Sequence, residues 1–134
     1  MNAPARLTPR ILLALSALCL AAGSGVHTQA FPKAAAVADH STLPPFFAAC
    51  FKGLWLCDSI NSSVFALVFS AIALYPGIAS GSLVMLLACA PLGVAVGVFA
   101  TMGNFPAAYV MLAAGAAASI AGAMSLQVVA QSGH

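Results

Sequence analysis

From Ser59 to His134 the chain contains no Lys, Arg, Asp or Glu. Such a stretch cannot supply a water-facing surface, because soluble domains carry roughly a quarter charged residues. The whole chain of 134 residues is 4% charged and 63% hydrophobic, with a mean hydropathy of +1.07. A hydrocarbon layer about 30 Å thick takes roughly 20 apolar residues per helical crossing. Three or four crossings therefore use nearly the whole sequence, and the lipid bilayer is its first partner. The fold class that follows is an all-α integral membrane protein, a single membrane domain over residues 1–134.

The N-terminal run Ile11–Val26 is uncharged and follows Arg6 and Arg10. Positive residues on that flank retain the N-terminus in the cytoplasm. Two readings of residues 11–29 follow. One is a transmembrane helix; the other is a signal peptide cleaved near Thr28–Gln29–Ala30, which leaves three crossings. The retained helix is preferred. Residues 30–45 contain Pro32, Lys33, Asp39, His40, Ser41, Thr42, Pro44 and Pro45, and read as an outer loop.

Phe47, Phe51 and Trp55 then fall at i, i+4 and i+8, one stripe of a helix. Aromatic rings gather at the headgroup level and a lysine there can reach water, so residues 46–58 read as a short interfacial helix. Ser59, Asn61, Ser62 and Ser63 are N-cap residue types, placing the start of the next span at 62, with an end near 79. Residues 82–101 make the third span, where Pro91 removes one backbone bond. After the turn at Met102–Pro106 the fourth covers residues 106–128. The expected architecture is a bundle of four transmembrane helices plus the interfacial segment, with both termini in the cytoplasm. The alanine- and leucine-rich composition suits a bacterial inner membrane.

Small residues recur every fourth position in the last two spans. Gly93 and Gly97, with Cys89 and Thr101, form one row; Gly115, Ser119 and Ala123 form another. Membrane helices associate through close backbone approach along such rows. Gly93, Gly97, Gly115 and Ser119 are therefore expected at helix contacts, within the chain or with a second copy.

Asp58 stands out chemically, because an acid beside transmembrane helices is a functional candidate by default. Trp55 and Asn61 lie at i−3 and i+3, on its helical face, and Lys52 shares the segment. These four residues form a candidate polar or proton site. The competing reading is a helix-terminal acid held by backbone donors. His27, Asp39 and His40 are weak metal candidates, having no i, i+4 pairing and no CxxC nearby. Cys50 and Cys57, seven apart, stand about 10 Å apart on one helix and cannot form a disulfide while it persists.

No arrangement of nucleophile and base is supported, there is no glutamate, and neither a P-loop nor a GxGxxG occurs. No cofactor is expected. Four scattered cations exclude a nucleic-acid surface. The expected function is a non-enzymatic accessory or structural subunit, in a larger membrane protein complex or a homo-oligomer. A small transporter or channel, proton-linked through Asp58, is the alternative, with a membrane enzyme or metal-handling protein third.

Overall fold

A computed structural model describes the backbone of residues 3–132 and the side chains of residues 7–127. Four long α-helices follow one another: α1 (Ala3–Asp39), α2 (Pro45–Leu74), α3 (Gly81–Met102) and α4 (Pro106–Ser132). Each contains a segment long and apolar enough to cross a membrane. Close backbone approach joins α1 to α2, α3 to α4, and α1 to α4. Two antiparallel hairpins thus form a four-helix bundle through the α1–α4 contact.

The interior is built from small side chains and the exterior from large ones. Ala88, Ala108, Ala114, Ala118 and Ala121 are fully buried, whereas Leu18, Leu67, Leu86 and Val96 are largely exposed. That inversion is what lipid requires. A leucine gains little by leaving hydrocarbon for another leucine, while an alanine lets two backbones come close enough for dispersion to hold them. A few large side chains are also enclosed: Phe69, wholly buried, with Leu13, Leu20 and Ile72 in the same core.

Two boundaries differ from the sequence reading. Residues 30–45 are not a loop, because α1 continues to Asp39 and only residues 40–44 connect it to α2. Ala30, Ala34, Ala35, Ala36 and Ala38 have the highest helix propensity, and packing against α2 outweighs the interior Pro32. Ser41 ends the helix by donating its hydroxyl to the Ala38 carbonyl at 2.8 Å, and Pro45 occupies the first turn of α2. Residues 46–58 are not a separate interfacial helix either, since α2 runs unbroken from Pro45 to Leu74. A break at Ser59–Asn61 would free up to four N–H and four C=O groups near the membrane, and no proline forces one. The cap-type serines face α1 instead, with Ser59 and Ser62 buried.

The small-residue rows also resolve differently. α3 meets α4 through Val84, Ala88, Pro91 and Ala95, whereas Gly93 and Gly97 are exposed with open space where a Cβ would sit. The Gly93–Gly97 row lies on the opposite face of the α3 cylinder. Gly115 faces α3, where a Cβ would stand 2.6 Å from Leu92 Cγ. Ser119 is half-buried beside the fully buried Ala118. The closest approach of all pairs Gly81 with Gly122, where a Cβ on Gly81 would stand 2.5 Å from the Gly122 carbonyl oxygen.

The two hairpins differ in length. Ser16 of α1 donates its buried hydroxyl to the Ala114 carbonyl of α4 at 2.8 Å. Eight residues separate Ala114 from Pro106, so α4 begins level with roughly residues 24–27 of α1. From there α1 continues to Asp39, a further 18 Å or so at 1.5 Å per residue. The α1–α2 hairpin therefore projects beyond the α3–α4 hairpin, whose α3 has 22 residues and about matches the 30 Å hydrocarbon layer.

Candidate functional site

Polar side chains gather where α1 and α2 emerge past the start of α4. Small residues let the two backbones approach there, and their hydroxyls supply the contacts. Ser24 donates to the Ser59 carbonyl at 2.8 Å, and the Ser24 and Ser63 oxygens are 2.7 Å apart. Because the single Ser24 proton serves the carbonyl, Ser63 donates to Ser24.

One turn further along α1, His27 lies flat on Trp55. Their ring centroids are 4.1 Å apart and their planes 7° from parallel. The Trp55 indole N–H donates to the His27 carbonyl at 2.8 Å, which fixes the indole, and the Phe51 ring stands tilted against it, 5.6 Å between centroids. His27 Nδ1 is 2.8 Å from the Ser59 hydroxyl and 3.8 Å from Asp58 Oδ2. Ser59 donates in turn to the Trp55 carbonyl at 3.2 Å. The site is half-open, with 27% of the His27 side chain and 40% of the Asp58 side chain exposed.

Of the residues singled out from sequence, Asp58 and Trp55 belong to this site. Lys52 does not: it pairs with Asp39 at 2.6 Å, nearer the hairpin tip. Asn61 is exposed and does not join Asp58 as its amide partner. The metal candidates are separated, because His27 and Asp39 are twelve residues apart on one helix, about 18 Å. No cluster of three His, Cys, Asp or Glu side chains exists among the described residues.

Sequence reasoning missed His27 as the partner of Asp58, and with it Ser24, Ser59 and Ser63. The signal was present only as polar residues at 24, 27 and 28 of an otherwise apolar run. Arg10 is a topology signal in the sequence. It also caps α2, its guanidinium donating to the Ala73 carbonyl at 2.7 Å and the Leu74 carbonyl at 3.4 Å. A cation at a helix C-terminus is favourable, since the last carbonyls carry partial negative charge.

An open groove of about 890 Å³ along α1 and α2 reaches the polar site, with Ser24 and Ser63 in its lining beside Ala14, Ala21, Ala66 and Ser70. Its walls are mostly methyl groups and carry no charged side chain. Comparison with protein-family models, with curated proteins and with solved structures finds no match to this chain.

Proposed function

We propose that this membrane protein is a non-enzymatic accessory or structural subunit of a larger membrane assembly, in a bacterial inner membrane with its N-terminus cytoplasmic. The observation that carries the reading is the projecting α1–α2 hairpin. Beyond the level where α4 begins it exposes Val37, Leu43, Phe46, Phe47 and Leu54. Large apolar side chains held past the shorter helices are the kind of surface that a partner covers. Extraction in mild detergent followed by mass spectrometry is the direct test. A reproducible larger complex, lost when Phe46 and Phe47 are changed to serine while helicity is retained, supports the reading. A lone homo-oligomer that is indifferent to those changes overturns it.

The second reading is a small oligomeric transporter or channel, proton-linked through Asp58. What favours it is the approach of Asp58 to His27 at 3.8 Å, two titratable groups beside a half-open surface. On that reading Asp58→Asn abolishes proton-linked uptake into vesicles at unchanged expression; unchanged uptake removes Asp58 from any transport role.

A further inference from the structure

The surroundings of His27 are arranged for a positive charge. Three different groups face its ring from α2, and each is electron-rich. The flat face of Trp55 covers one side at 4.1 Å. An indole face attracts a cation through its quadrupole more strongly than the other aromatic faces do. The Ser59 oxygen stands at 2.8 Å from Nδ1. Its own proton is directed to the Trp55 carbonyl, so that oxygen offers Nδ1 a lone pair. The Asp58 carboxylate adds a formal negative charge 3.8 Å from the same nitrogen.

An imidazolium carries a hydrogen on both ring nitrogens, so a charged His27 donates from Nδ1 to Ser59 while Ser59 donates to the Trp55 carbonyl, and every contact is satisfied. Among the described residues the other cations of α1 and α2 stand away from this ring: Arg10 is held by the carbonyls that end α2. Lys52 is held by Asp39, and Lys33 is six residues further up α1, about 9 Å of rise. α4 carries one titratable residue, Tyr109, whose hydroxyl donates to Asn104. Cys89 is the one titratable residue of α3.

We propose that His27 is a proton-binding site, its imidazolium held between the Trp55 indole, the Ser59 hydroxyl and the Asp58 carboxylate. The ligand is a proton taken from the aqueous side of the projecting hairpin. The site neither requires nor excludes a partner subunit, so it stands apart from the accessory reading.

Trp55 is the only tryptophan in the chain, so tryptophan emission reports this stack alone. An imidazolium accepts an electron from excited indole more readily than neutral imidazole does, and a stacked one therefore quenches. The full chain in lipid vesicles is titrated between about pH 8 and pH 5, the range in which histidine changes charge. Emission falls reversibly on acidification in the wild type. The fall is lost in His27→Gln and kept in His40→Gln. A wild-type chain without the fall, or a His27→Gln chain that keeps it, overturns the proposal. If His27→Gln loses helicity, ring-labelled histidine in the wild type decides by NMR. A His27 resonance that shifts between two charge states over that range supports the site, and one that does not shift overturns it.

Discussion

Gly81 and Gly122 are the residues whose side-chain size matters most for the α3–α4 contact. A Cβ on either would stand within 3 Å of a backbone carbonyl on the other helix, and a carbonyl cannot rotate away as a side chain can. Gly81→Ala or Gly122→Ala must push the helices apart, an overpacking that costs about 1–3 kcal/mol. Gly93→Ala, facing open space inside α3, is expected to be neutral or to stabilise by up to about 1 kcal/mol, the helix-propensity difference. Reversible unfolding in mixed micelles, followed by helicity, distinguishes them. A different kind of contact operates at Ser16, whose buried hydroxyl reaches Ala114. Hydrogen bonds between membrane helices average about 0.6 kcal/mol, so Ser16→Ala is expected to cost near that value in the same assay. Ser16→Leu is expected to cost more, because the residue is fully enclosed and overpacking adds about 1–3 kcal/mol. None of this ranking was legible in the glycine spacing alone. Gly93 and Gly115 sit in equally regular rows, and only the facing helix shows that one row is occupied and the other open.

The element that departs most from expectation is the α1–α2 hairpin. Its prolines, cap-type serines and scattered charges read as loop chemistry. As helix, the same residues are spread around a cylinder, with Ser59 and Ser62 turned to α1 and Lys52 and Asp39 paired near the tip. That exposed ion pair is worth about 0–1 kcal/mol, so it sets register more than it stabilises. The cysteines test the projection. Cys50 lies on the projecting part of α2, and Cys89 lies on an exposed face of α3 at the depth of the core. A membrane-impermeant maleimide applied to cells or sealed vesicles is expected to label Cys50 from one side only. It should leave Cys89 and Cys19 unmodified until detergent is added. Equal labelling of Cys50 and Cys89 would be inconsistent with a hairpin that overreaches the bilayer.

At the scale of the whole molecule, two hairpins depend on the α1–α4 contact for their union. The connection between them, the 3₁₀ turn Pro76–Ile78 with its exposed flanks, lies outside that contact. Residues 1–77 and 78–134 expressed as separate chains in one membrane are therefore expected to copurify. Ala114→Leu should break the association, because Ala114 is fully buried where Ser16 meets it and overpacking such a site costs about 1–3 kcal/mol. Copurification that survives Ala114→Leu would show that the hairpins join elsewhere.

The all-helical class, the lipid-facing character of the helices and the turns around Pro76 and Pro106 were determined by composition and order alone. Hydropathy, prolines and glycines act locally, and the absence of charge after Asp58 leaves no other solvent for the chain. Which small residues touch, where α1 ends, and which partner stands beside Asp58 were decided by tertiary structure. Each depends on groups far apart in sequence: His27 reaches Ser59 across 32 residues, and Ser16 reaches Ala114 across 98. A serine that would cap a helix in isolation becomes a bridge between two helices once a neighbour offers a better acceptor. That choice is energetic and long-range, and no local pattern contains it.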